Sequence, residues 1–314
     1  MKNDWLVIDC HYRFPRFAAA FLKVKNGRAI FIENNTNQAI PYLLAGLKQQ
    51  GAQNESVDYL IVTHAHLDHA GATAALAARF PKAVVLAHPK AAKTLTEPER
   101  LIASAKKVYG EDEFLGLYGE IKPLPKNRVR EISDGETILW EGISLRFVYT
   151  RGHASHHFCV FEENTKSVFT GDAFGLSYPA LTGTKPFHIP STSPVDFDYE
   201  EALRAIDQIE ALKAETAYLT HFGPVTGITE RAKLLKRHLF FHQSLILDCD
   251  RENIPDSEVE STVLKKLSDY FKQELERCEI KVTKEVELLL KMDLELNAAG
   301  LAVACLRKRK QHPC

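Results

Sequence analysis

The sequence predicts an α+β chain: a strand-rich stretch to about residue 228, carrying metal-ligand side chains on its loops, then a helical region. Three observations lead there. His64, His66, Asp68 and His69 crowd into six residues directly behind the apolar run Tyr59–Val62. Short β-branched and aromatic runs, closed by Gly, Asn or Asp, recur through the first two thirds of the chain. From Thr229 onward the composition turns to helix formers.

Taken in order, residues 5–9 and 18–24 read as strands, and Asn26-Gly27 is a hairpin turn returning through a strand at 29–33. A helix fits 37–50, closed by Gly51. Tyr59–Val62 reads as a buried strand. At its end the backbone is still near-extended, so period 2 points His64 and His66 the same way. The Ala-rich run to about Phe80 is a helix former. The imidazoles and the carboxylate are therefore presented from a strand-to-helix loop, where α/β active sites lie. A polar loop that merely contains histidines is the competing reading, but imidazole and carboxylate at this spacing are ligands suited to zinc, iron or manganese.

A strand follows at 83–87, then His88, read as a loop or wall residue. Residues 90–122 form a helical insertion, with Glu97-Pro98-Glu99 as a helix start. It is either a bulge packed on the core or a lid. Residues 129–147 read as strands turning at Asp134-Gly135 and Glu141-Gly142, and 145–149 leads to Gly152-His153. Strands at 158–162 and 167–170 form a hairpin ahead of Gly171-Asp172. The stretch 173–190 is too rich in Gly and Pro for a regular element. Its Phe174, Tyr178, Phe187 and His188 are candidates for substrate contact, or else side chains that pin the loop. An amphipathic helix spans 198–212, and a strand at 217–220 leads to His221. Helices fit near 229–249, 257–278 and 284–309, with a capping box at Ser257–Glu260. The basic run 307–310 reads as favourable charge at a helix end. The apolar faces marked by Leu234, Leu235, Leu239, Phe240 and Leu288–Leu290 must bury on the sheets, beside the site, or in a homodimer.

The run Thr63-His-Ala-His-Leu-Asp-His69, with Gly152-His153, Gly171-Asp172 and His221 following in order, resembles the signature of the metallo-β-lactamase-fold hydrolases, glyoxalase II among them. The resemblance covers roughly residues 5–228. It implies an αββα four-layer sandwich at 1–228, with the insertion at about 90–122 and a helical C-terminal region, 229–314, packing on it. It implies two divalent metal ions, zinc first, with iron or manganese as alternatives. His64, His66 and His153 hold one ion, Asp68, His69 and His221 the other, and Asp172 bridges them. Asp68 additionally orients or deprotonates the attacking water, and His157 supports the metal ligands from behind. His156 has no assigned role. Water shared by two such ions is a nucleophile at neutral pH, and no G-x-S-x-G nucleophile motif is present. The implied reaction is hydrolysis of a carboxylic ester, lactone or thioester, as in the quinolone-signal response thioesterase. The alternatives are iron chemistry of the persulfide dioxygenase or flavodiiron kind, then a phosphodiesterase or nuclease. His66 stands where flavodiiron sites carry Glu.

The totals agree with a globular enzyme: 45% hydrophobic and 26% charged residues, net charge −1. That balance predicts a small-molecule substrate, with neither nucleic acid nor a membrane as partner. The opening residues have only a short apolar run, unlike a signal peptide. The scattered Cys10, Cys159, Cys249, Cys278, Cys305 and Cys314 suit free thiols in a reducing cytoplasm.

Overall fold

Alternation of apolar side chains builds two six-stranded sheets, seen in a computed structural model that describes residues 5–192, 194 and 196–311. The first sheet runs, in spatial and chain order, β1 (Leu6–Asp9), β2 (Ala19–Lys25), β3 (Arg28–Ile32), β4 (Val57–Ile61), β5 (Val84–Ala87) and β6 (Val129–Glu131). β1 to β3 form an antiparallel meander, and β3 to β6 are parallel. The connections hold α1 (Ile40–Gln49), α2 (Leu67–Ala70), α3 (Thr73–Arg79) and, in the insertion, α4 (Pro89–Thr96), α5 (Glu99–Tyr109) and α6 (Glu111–Tyr118). The second sheet contains β7 (Thr137–Trp140), β8 (Ile143–Tyr149), β9 (Phe158–Glu162), β10 (Ser167–Gly171), β11 (Thr216–Leu219) and β12 (Gly223–Val225), adjacent in that order. Its pairs are antiparallel except β10 with β11. The remaining helices are α7 (Tyr199–Ala211), α8 (Ile228–Arg251), α9 (Val259–Arg277) and α10 (Lys284–Gln311).

The chain divides into two compact units. The first comprises residues up to 149, 156–171 and 213–226; the second comprises 150–155, 172–212 and everything from 227. Besides the helices from residue 227 onward, the second unit takes the stretches around His153 and after Asp172.

Within the first unit, period 2 sorts the core. Ala20, Leu22, Phe31, Leu60 and Val85 face α1, α3 and α4, whose Leu43, Leu76 and Ala91 complete one cluster. Their strand neighbours Phe21, Ile30, Ile32, Ile61 and Leu86 meet Phe147, Phe158, Phe169 and Tyr218 of the second sheet in another. Truncating any one of these buried phenylalanines to alanine costs about 3–5 kcal/mol. The insertion is fastened here too: the Tyr118 and Tyr12 hydroxyls bond at 2.9 Å, Asn37 donates to the Tyr118 and Glu120 carbonyls, and Arg13 pairs with Glu113 at 2.9 Å.

The second unit packs α10 against α8 and α9. Its buried Asn297 accepts from the Thr192 amide at 2.7 Å and donates to the Pro190 carbonyl at 2.9 Å, tying the 173–198 stretch to α10.

Several expectations need correcting. The capping box at Ser257–Glu260 does not form: a 3-10 turn at Asp256–Glu258 follows Pro255, and Glu258, without a side-chain cap, precedes α9. β12 was not foreseen because it contains Pro224, which an edge strand paired on one side tolerates. Asp68 and His69 sit on a helical turn, not in the loop. The basic run is a helix end as expected, with Arg309 donating to the Cys249 and Ile254 carbonyls. The five described cysteines are buried thiols, and Cys314 lies outside the described residues. Among the described residues, no helix is long and apolar enough to cross a membrane.

Candidate metal centre

The first unit contributes five candidate ligands from the ends of two strands. β4 lies between two parallel neighbours, and where it stops Thr63 and His64 are fully buried. The strand stops at Ile61 and the chain bends at Thr63 and His64, so the extended backbone expected there is absent; His64 and His66 still meet, Nε2 to Nδ1, at 2.9 Å. His66 then precedes α2, and its carbonyl accepts from the His69 and Ala70 amides at 3.0 and 2.9 Å. That turn swings Asp68 and His69 towards β11, which delivers His221. The atoms Asp68 Oδ2, His69 Nε2 and His221 Nε2 come together, with the aspartate oxygen 3.8 Å and 3.4 Å from the two nitrogens.

Residues at the end of β3, whose role the sequence did not disclose, hold this turn. Glu33, 1% exposed, accepts from the Thr63 hydroxyl and from His69 Nδ1 at 3.2 Å. Asn35 donates to the Asp68 carbonyl at 2.7 Å, and the Asn34 and Asn35 amides donate to the His69 carbonyl. Gly71 is required where it stands, because an added Cβ would lie 2.4 Å from the Leu67 carbonyl oxygen. The available signal was three consecutive polar residues, Glu33-Asn34-Asn35, directly after an apolar strand.

Hydrogen bonding fixes how the imidazoles point. The Thr63 hydroxyl gives its proton to Glu33, so it accepts from His64 Nδ1–H at 3.1 Å. His221 Nδ1–H donates to the Phe17 carbonyl at 2.8 Å. His69 Nδ1–H donates to Glu33. Each ring therefore turns an Nε2 lone pair towards the other donors. In His69 and His221 that lone pair faces a carboxylate oxygen, a repulsive pairing that a cation between them relieves. On this chemistry the donor set fits a divalent ion.

The second unit repeats the pattern. Gly152, at φ +115°, lets the chain pass against the start of α7; a Cβ there would lie 2.3 Å from the Ala202 nitrogen. His153 Nδ1–H donates to the Ser191 carbonyl at 3.2 Å, and its Nε2 lies 3.6 Å from Asp172 Oδ2. The Ser191 hydroxyl donates to that same oxygen at 3.1 Å. Ser191 is thus a second residue the sequence reading missed. A narrow crevice lies beside His153 and Asp172, walled by Phe197, Ile206, Leu235 and Leu239.

Other candidates fall as follows. His157 is fully buried with its ring centroid 4.9 Å from that of His64. Gly171 leaves it room: a Cβ there would come within 2.5 Å of both His157 Nε2 and Thr63 Oγ1. His156 accepts from the Ala65 amide at 3.3 Å, which commits its Nδ1 to the loop backbone. His88 precedes α4 and accepts from the Lys90 amide at 3.1 Å. Burial pushes the Tyr12 phenol up, and the nearby Asp68 charge adds to it.

Phe174, Tyr178, Phe187 and His188, named for substrate contact, are all buried inside the second unit. Phe187 packs on Phe271, Tyr178 bonds Asp293 at 3.3 Å, and His188 donates to the Phe174 carbonyl at 2.6 Å while accepting from Arg231 at 3.1 Å. A substrate contact needs an accessible side chain, and these four pin their loop to the helices instead.

The family model for the metallo-beta-lactamase superfamily matches residues 22–221, a span containing every candidate ligand. The chain is 31% identical over 189 residues to the metallo-beta-lactamase fold-containing protein ST1585 of Sulfurisphaera tokodaii, covering 59% of this chain and 66% of that relative. It is 27% identical over 139 residues to the atrochrysone carboxyl ACP thioesterase of Aspergillus chevalieri, covering 44% of this chain but only 34% of the relative. Among solved structures, ST1585 from Sulfolobus tokodaii has a TM-score of 0.68 at 24% identity, covering 96% of this chain and 99% of that one. TTHA1623 in a di-iron-bound form has a TM-score of 0.51 at 22% identity, with 68% and 93% covered. At these identities the structural likeness is one of fold.

Proposed function

Because the chain belongs to the metallo-β-lactamase superfamily, we propose that it is a metal-dependent hydrolase cleaving a carboxylic ester, lactone or thioester at a dinuclear, glyoxalase II-like centre. In this reading His64, His66 and His153 hold one divalent ion, Asp68, His69 and His221 hold the second, and Asp172 serves both. The observation that carries it is the orientation of the rings. His69, His153 and His221 each spend Nδ1–H on an oxygen and aim Nε2 at a carboxylate 3.4–3.8 Å away. The bound ions would supply a Lewis acid and an acidified water.

The chain's own residues do the rest. Glu33, Thr63, the Phe17 carbonyl and the Ser191 carbonyl fix the tautomers and hold the rings in register. Asp68, partly exposed, orients the attacking water and takes its proton in this reading. The fungal relative named as an acyl-carrier thioesterase supports an acyl substrate. Zinc is the first choice of metal and a cytoplasmic setting the simplest for the buried thiols. The di-iron form of TTHA1623 keeps iron in view as the second reading.

The test is reconstitution of the metal-free protein separately with zinc, manganese and ferrous iron. Each form is assayed anaerobically on thioesters, lactones and phosphodiesters, then for oxygen uptake with a persulfide. Turnover of an acyl substrate by the zinc or manganese form is expected. Silence on that panel, with oxygen uptake by the iron form alone, would overturn the hydrolase reading.

A further inference from the structure

α10 is apolar on two opposite faces. One face is accounted for: Val286, Leu289, Leu290, Leu294, Leu301 and Cys305 are buried where α10 packs on α8 and α9. The opposite face of a surface helix is ordinarily polar. Here it carries Leu288, Met292, Leu296, Ala299, Val303 and Leu306, spaced by three or four residues. At 3.6 residues per turn these fall within an arc of about 80° and form a stripe about 27 Å long. Leu288, Leu296 and Val303 are 44%, 40% and 38% exposed. Such a contiguous stripe on one helix marks an interaction face.

The charges at its ends identify the occupant. Glu285 and Glu287 stand at the start of α10, and Arg307 and Lys310 at its finish. An antiparallel two-fold axis between Asn297 and Ala298 sets position 296 opposite 299, 292 opposite 303, and 285 opposite 310. Leucine then meets alanine, methionine meets valine, and glutamate meets lysine. A parallel pair would instead set Glu285 on Glu285 and Lys310 on Lys310, like charge on like charge. The small Ala299 beside the axis lets the two backbones approach within the 8–10 Å of ordinary helix packing. The stripe is thus complementary to itself in one direction only, as an isologous interface requires.

We propose that α10 is a homodimerisation helix, pairing antiparallel with α10 of a second copy through Leu288, Met292, Leu296, Ala299, Val303 and Leu306. The pair buries less than the roughly 1,000 Å² that a stable specific interface needs. It is therefore a concentration-dependent equilibrium. An anionic bilayer is a poorer occupant, because Glu285 and Glu295 stand on or beside the stripe.

The experiment is sedimentation equilibrium of the full chain over a wide concentration range, with circular dichroism of every variant to confirm the fold. Wild type is expected to associate to dimer. Leu296→Glu, on an exposed face, should keep its spectrum and weaken association at least about tenfold. Glu285→Lys and Lys310→Glu should each weaken it, and the two together in one chain should restore it, since both contacts are then reversed. A wild type that stays monomeric at every concentration overturns the proposal, as does a well-folded Leu296→Glu that associates unchanged. Failure of the double reversal to recover association refutes the antiparallel register. A monomer that floats with phosphatidylcholine–phosphatidylserine vesicles would assign the stripe to a membrane surface and likewise overturn it.

Discussion

Replacing Glu33 by Gln tests whether the end of β3 holds the metal ligands in register. Glu33 is buried, and its Oε1 accepts from the Thr63 hydroxyl and from His69 Nδ1–H. Through Thr63 it also fixes His64, so one carboxylate governs a histidine of each proposed metal set. Gln keeps the size but removes the charge, and its amide nitrogen has to be accommodated among groups that donate. Losing the charge assistance on two such bonds costs about 1–1.5 kcal/mol each. Together that is a loss of metal affinity of roughly thirtyfold to a hundredfold or slightly more, at the upper end of the range found for partners of ligating histidines. The assay is a competition titration of the metal-free protein against a chelator of known affinity, beside thermal unfolding of the metal-free form. Removing a buried charge has little reason to destabilise the metal-free protein by as much. The expected result is therefore a split, with affinity falling and metal-free stability nearly retained. Unchanged affinity, or an affinity loss no larger than the stability loss, would refute the positioning role.

Two further outcomes follow from buried groups. His188, His238 and His242 are pushed down to about 3 from 6.5 in every case chiefly by burial, with Arg231, Arg237 and His238 respectively adding to it. The unfolded chain takes up these protons below about pH 6.5 and the folded one resists until about pH 3. Stability is thus complete above that window and falls as pH drops through it, by about 1.4 kcal/mol per histidine at about pH 5.5, roughly 4 kcal/mol together. A melting temperature flat between neutral pH and about pH 5 would contradict this. Gly152→Ala drives a Cβ to 2.3 Å from the Ala202 nitrogen and should cost on the order of 3 kcal/mol. Gly27→Ala has the same left-handed backbone but nothing within 4 Å, and should cost only about 1 kcal/mol. Equal denaturation midpoints for the two variants would count against the close approach of Gly152 to α7.

The parts legible in the sequence were those set by local rules. The cluster of His64, His66, Asp68 and His69 was legible from its spacing behind an apolar strand, and Asn26-Gly27 makes its hairpin with both residues at positive φ. What stayed hidden depends on partners distant in sequence. Glu33 acquires its role because β3 lies beside β4 in parallel, bringing Thr63 alongside it. Ser191 matters because its stretch returns to Asp172. The aromatic residues of 173–190 were ambiguous for the same reason: composition marks them as contacts but does not say with what. Only the fold shows Phe187 against Phe271 and Tyr178 against Asp293. The capping box at Ser257 had the right residues, but the turn set up by Pro255 moved the helix start past it.

The central claim is that these histidines and aspartates hold divalent metal, and metal content measures it most directly. Plasma mass spectrometry of the dialysed wild type, His156→Ala and Asp172→Ala separates the ligand assignment from its neighbours. The account predicts two divalent ions per chain in the wild type, the same in His156→Ala, whose Nδ1 is committed to the Ala65 amide, and a clear loss in Asp172→Ala. A wild type without metal after reconstitution, or an Asp172→Ala that retains both ions, would contradict it.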